Sequence, residues 1–139
     1  MRTFWDTSAA INAALSPEVF RRLETGEHVT RLHLLAEFFA TMTGRGVEIT
    51  DEAGNTDRMV FTQNECAAWL RNFAGKIKFE ELTQEEALKA LDDAQNRGVQ
   101  GARVYDYWHA LVSEKVKADE LITRNTRHFQ GLAPNVVWP

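Results

Sequence analysis

Carboxylate and amide oxygens at four well-separated positions, Asp6, Glu37, Asp106 and Asn125, are the groups through which this chain can do chemistry. Such oxygens are hard ligands. A set of them suits Mg²⁺ or Mn²⁺, ions that keep several waters and grip phosphate oxygens. An ion so held lowers the pKa of a bound water and offsets charge on a phosphorane-like transition state. Without metal, three clustered carboxylates repel one another, so at least one pKa should rise and the group should titrate as a unit. The plain alternative for Asp106 is structural, since an aspartate in a first helical turn interacts favourably with the helix dipole. For Glu37 it is a solvated helix acid, although no Lys or Arg stands three or four residues away to pair with it.

These residues need elements that bring them together. Thr3-Phe4-Trp5 reads as a short strand ending at Asp6, after which Thr7 or Ser8 can cap a helix carrying Ala9, Ala10, Ile11, Ala13 and Ala14. Ser16-Pro17 opens a second helix, and Gly26 supplies its stop. His28 to Leu32 reads as a second strand, leading into a helix whose buried arc is Leu34, Leu35, Phe38, Phe39 and Met42, with Glu37 at its border. Gly44-Arg45-Gly46 breaks that helix, and residues 47 to 61 form a hairpin or long surface loop. Thr62 with Glu65 and Thr83 with Glu86 are capping boxes, with Gly75 and Gly98 closing the two helices. The helical spacing of Cys66, Trp69, Leu70 and Phe73, and of Ala87, Leu88, Leu91 and Ala94, gives each an apolar face. Ile77 and Phe79 alternate with polar neighbours as a third strand, and Asn135 to Trp138 form the last.

The stretch from Arg103 to Phe129 joins these parts. At about 100° per residue, Val104, Tyr105, Trp108, Leu111, Val112 and Val116 share one face of a long helix. Asp106 points away from that face, with the small residues Ala110 and Ser113 stacked above it, leaving room for something to approach closely. Lys117-Ala118-Asp119 is a turn, and Glu120 to Thr123 a short buried strand followed by Arg124-Asn125-Thr126. A helix feeding such a strand indicates a parallel α/β sheet, in which ligands bind at the carboxyl ends of the strands. On this reading the four oxygen-bearing positions converge on one sheet edge.

The whole chain sets the bounds. Its 139 residues make one domain, residues 1 to 139, able to bury roughly two-thirds of the surface of the unfolded chain. A content of 44% hydrophobic and 26% charged residues with net charge -4 excludes a disordered or collagen-like chain and argues against nonspecific coating of nucleic acid. It does not exclude a nuclease whose acids are neutralised by metal. Cys66 is the sole cysteine, so one chain can build neither a disulfide nor a thiolate zinc site. The absence of a signal-peptide core and of any membrane-length apolar run points to a cytoplasmic protein with no membrane association.

The runs FWDTSAA, LLAEFFA, ARVYDYWHA and ITRNTRHF, in this order and spacing, resemble the PIN-domain ribonucleases, particularly the toxins of VapBC-type toxin–antitoxin pairs. The resemblance covers nearly the whole chain. It implies a three-layer α/β/α fold with a five-stranded parallel sheet, and metal-dependent endonuclease action on RNA by water attack on a phosphodiester. The acids matching the family's catalytic and metal-binding positions are Asp6, Glu37 and Asp106, with Mg²⁺ or Mn²⁺ as cofactor. Asn125 matches the fourth catalytic position, where many relatives have Asp; an amide adds no negative charge, so one metal is better supported than two. Thr7 and Thr123 match hydroxyl residues that flank and support the acids. Arg124, Arg127 and His128 then read either as contacts to RNA phosphate or as a solvated basic cluster, and His109 either as a phosphate donor or acid or as a helix-surface histidine with no role. Trp5, Trp69, Trp108 and Trp138 belong to apolar runs and read as core. The implied partners are an RNA substrate, a cognate antitoxin protein covering exposed apolar grooves, and a second copy in a homodimer formed through the N-terminal half. The alternatives are a noncatalytic RNA-binding or scaffold PIN domain and a housekeeping PIN nuclease outside any toxin system.

Overall fold

The computed structural model describes residues 1–138. Its centre is β1 (Arg2–Trp5), flanked by β2 (Glu27–Thr30) and β6 (Glu120–Ile122), with β5 (Lys78–Phe79) and β7 (Val136–Val137) outermost. Every pairing in this five-stranded sheet is parallel. Phe4 lies opposite Val29 and Leu121, while Trp5 pairs with Ile122.

Successive side chains of a strand point to opposite faces, and each face has its own core. On one side Trp5 and Ile122 pack with Ala9, Ala10 and Ala13 of α1 (Thr7–Leu15), Leu34, Phe38 and Met42 of α3 (Leu32–Thr43), and Cys66 and Phe73 of α4 (Gln63–Ala74). On the other, Phe4, Val29 and Leu121 pack with Ala90 of α5 (Gln84–Asp92) and Tyr107, Ala110 and Val112 of α6 (Arg103–Lys115). The result is the three-layer α/β/α arrangement. Both capping boxes are present, at Thr62/Glu65 and Thr83/Glu86. The short α2 (Pro17–Arg21) starts from the Ser16 cap, and Gly26 takes φ +83°, closed to most side chains. β3 (Val47–Thr50) and β4 (Thr56–Met59) form an antiparallel hairpin outside the main sheet. Trp5 is buried in the first core with Trp69 and Trp138 packed against it, and Trp108 packs against the second. Among the described residues, no helix is long and apolar enough to cross a membrane.

Three local expectations are corrected. Leu32 opens α3 rather than ending β2, and is 58% exposed because Arg31, not Leu32, turns inward there. α5 ends at Asp92, well before Gly98, and Leu88 and Leu91 lie half exposed; the short Ala90 makes the buried contact instead. In α6 the apolar arc is displaced: Tyr105 is 57% exposed while Tyr107, His109, Ala110, Val112 and Ser113 are buried. The close approach expected over Ala110 and Ser113 is that of the chain's own core, because small residues let a helix sit tight against a sheet.

Candidate functional site at the carboxyl edge of the sheet

β1, β2 and β6 run parallel, so the residues that follow them meet at one edge. Asp6 follows β1. Its backbone is the N-cap of α1, in place of the expected Thr7 or Ser8, yet its side chain makes no capping bond. Aspartate usually satisfies its own helix. Here Asp6 Oδ2 instead accepts hydrogen bonds from Thr123 Oγ1 at 2.8 Å and Ser8 Oγ at 3.0 Å. Thr123, fully buried at the end of β6, thus ties two strand ends together, and Arg124 N donates to Ser8 Oγ at 3.0 Å. The carboxylate is turned into the edge of the sheet and fixed there.

Glu37 reaches the same edge from α3. Its Oε1 accepts from Thr7 Oγ1 at 3.2 Å and lies 2.7 Å from His33 Nε2, one helical turn earlier. A search for Lys or Arg partners passes over this histidine. Asp106, in the first turn of α6, is half-buried with His128 Nδ1 3.8 Å from its Oδ2. Burial pushes the Asp106 carboxyl above its ordinary range, and the charges of Asp6 and Glu37 add to that rise against His128 and Arg103. Repulsion among these acids, expected from their types, therefore registers at Asp106. Asn125 donates its backbone N–H to Thr123 Oγ1 at 3.0 Å and opens a short 3₁₀ turn.

All four expected positions, Asp6, Glu37, Asp106 and Asn125, line one cleft of about 870 Å³, together with Thr7, Arg124 and His128. Thr123 lies beneath it, and Arg127 is exposed in the adjoining turn. The β3–β4 hairpin forms a further wall through Val47, Glu48 and Arg58, with Arg45 of the preceding turn beside them. Nothing in the hairpin's own sequence marks it as part of a site.

His109 is corrected from surface to interior. It is 4% exposed, and its Nε2 stands 3.9 Å from both Asp6 Oδ1 and Glu37 Oε1. Burial, reinforced by Arg31 and His33 and opposed by Asp6, lowers its pKa to about 4. It is therefore neutral at physiological pH. Sequence reasoning missed His33 and Ser8 as neighbours of the acids and Arg31 as the partner of His109. The His33–Glu37 spacing of four was the one signal available.

The donor chemistry fits a hard divalent ion. Asp6 and Glu37 each have one oxygen held by neighbouring side chains, as ligands oriented by surrounding hydrogen bonds do. Among the described residues, the group of three whose candidate ligand atoms all lie within 4.8 Å of one another is His33, Glu37 and His109. Asp6 and Asp106 share the cleft without belonging to so tight a set. Compared with known proteins, the chain matches no family model and no curated protein.

Proposed function

We propose that this chain is a metal-dependent endoribonuclease of PIN type, acting as the toxin of a toxin–antitoxin pair. The carrying observation is that three carboxylates and an amide from four distant parts of the chain line a single cleft at the carboxyl edge of a parallel sheet. Asp6, Glu37 and Asp106 would hold Mg²⁺ or Mn²⁺. When bound, such an ion activates water and offsets charge on a phosphodiester under attack. Thr123 and Ser8 hold Asp6 in place, and Thr7 and His33 hold Glu37. Arg124, exposed at the lip of the cleft, contacts backbone phosphate without reading bases, and Arg127 extends that contact along the strand. The Asn125 carbonyl oxygen orients water.

RNA as substrate and the antitoxin rest on the motif resemblance, and the cytoplasmic setting on the sequence pattern. The proposed homodimer has a further support in Leu32 and Phe39 of α3, which are 58% and 39% exposed on the N-terminal half. The test is cleavage of a structured RNA with Mn²⁺ by the wild-type chain and by Asp6→Asn and Asp106→Asn, with circular dichroism to verify folding. A rate loss of at least about a hundredfold is expected, equivalent to about 3 kcal/mol of transition-state stabilisation. Folded variants cleaving at the wild-type rate would overturn the assignment. A noncatalytic RNA-binding PIN domain is the second reading, favoured by Asn125 in place of an acid and by the looseness of the acid set. Growth arrest on expression, relieved by a partner protein, separates a toxin from a housekeeping nuclease.

A further inference from the structure

Three side chains, His33, Glu37 and His109, place candidate ligand atoms within 4.8 Å of one another, and two histidines with one carboxylate is a donor set that attracts Zn²⁺ and related ions. A buried arginine decides whether His109 can take part. Arg31 Nη1 lies 3.1 Å from His109 Nδ1, and the contact is buried. A guanidinium has donors and no acceptor. His109 Nδ1 must therefore present its lone pair to Arg31, which puts the imidazole proton on Nε2.

Arg31 is held on three sides. Its Nε donates to Glu81 Oε2 at 2.9 Å, and Glu81 Oε1 accepts from Leu32 N at 3.2 Å. The guanidinium also sits 5.9 Å from the centre of the Trp108 ring, a cation–π distance. Turning it away from His109 means giving up these contacts in a site where its side chain is 9% exposed.

We infer that Arg31 locks His109 as the Nε2–H tautomer, which leaves Nε2 without the lone pair a metal ion needs. Ligation through Nε2 would require a proton on Nδ1 facing a cation, or its loss altogether. The donor set left for an ion is then oxygen-rich, of the kind that suits Mg²⁺ or Mn²⁺, and lacks the second imidazole that would favour Zn²⁺. The Nε2–H group lies 3.9 Å from both Asp6 Oδ1 and Glu37 Oε1, too far to hydrogen-bond either acid. The inference deepens the nuclease reading and rests on it only for which ion is used in catalysis.

The tautomer is read by long-range ¹H–¹⁵N correlation spectra of histidine-labelled protein at neutral pH, before and after addition of Zn²⁺ alone. Wild type should show His109 with Nε2 protonated, and Zn²⁺ should leave that pattern in place. Arg31→Met removes the donor and should raise Zn²⁺ affinity by at least about tenfold, the scale on which groups behind metal ligands act. Arg31→Lys keeps a donor and should stay near wild type. A proton on Nδ1 in wild type, a Zn²⁺-ligated His109 in wild type, or no gain in folded Arg31→Met would each overturn the inference. Should Arg31→Met not fold, the wild-type spectra decide alone. Absence of RNA cleavage with the Nε2–H tautomer intact would defeat the catalytic reading and leave this one standing.

Discussion

The two ends of the parallel sheet carry similar residue types and treat them in opposite ways. At the end where β1 begins, charges are matched. Arg2 Nε lies 2.7 Å from Glu27, Arg2 N donates to Asp119 at 2.7 Å, and Arg22 lies 3.1 Å from Glu120, which also accepts from Thr3 Oγ1 at 2.9 Å. At the end where β1 finishes, Asp6 is held by two hydroxyls, Glu37 by a hydroxyl and a histidine, and Asp106 faces His128 at 3.8 Å. The guanidinium buried nearby is engaged by Glu81. Folding alone calls for the first arrangement, because unpaired buried charge is costly. Under the proposed function a bound cation would offset the second, and that contrast points to the cleft more specifically than the presence of acids does.

The contrast can be broken at the cleft first. Thr123→Val keeps the volume of a fully buried side chain and removes the donor to Asp6 Oδ2. Mn²⁺ affinity by titration calorimetry should fall by about 10-fold to 100-fold. Unchanged affinity would mean that the hydroxyl does not orient the acid.

A smaller effect follows from His109. Its pKa falls from 6.5 in the unfolded chain to about 4 in the folded one. As pH drops from 6.5 towards 4 the unfolded chain takes up a proton that the folded chain refuses, so stability decreases through that window. Denaturant melts of the chelator-treated protein should show a loss of about 1 kcal/mol per pH unit from this group. His109→Gln, which cannot be charged, should lack that part of the slope. Parallel wild-type and variant curves would contradict the buried, neutral histidine.

The smallest effects differ in sign. Glu120→Ala at the paired edge should lower stability by about 1 kcal/mol or less and leave Mn²⁺ binding alone. Asp106→Asn should not lower metal-free stability at neutral pH. The folded Asp106 pKa is raised, so its contribution is present at low pH and is lost as pH rises above 3.8 through the folded value. A neutral amide removes that cost. Thermal melts of the two variants, run side by side, check the opposition.

Most of the scaffold was legible from patterns that obey local rules. The short strand at Thr3-Phe4-Trp5, the two capping boxes and the Ser16-Pro17 start each reflect a few neighbouring residues and appear as expected. The convergence of Asp6, Glu37, Asp106 and Asn125 on one cleft followed from parallel strand ends together with the motif resemblance. What stayed hidden depended on contacts far apart in sequence. Arg31 looked like a strand residue because its partners, Glu81 and His109, lie 50 and 78 positions away. His109 looked exposed because helical periodicity counts histidine as polar, whereas α6 is buried on several sides. Tyr105 was assigned to the core by its apolar bulk, but its ring stacks on His33 with centroids 5.7 Å apart at the cleft.

The central claim is that Asp6, Glu37 and Asp106 gather around one divalent cation. Titration calorimetry with Mn²⁺ on the wild-type chain and on Asp106→Asn tests it most directly. The account predicts a single Mn²⁺ site in wild type and its loss in the folded variant. No binding by wild type at millimolar Mn²⁺, or equal binding by both proteins, would contradict it.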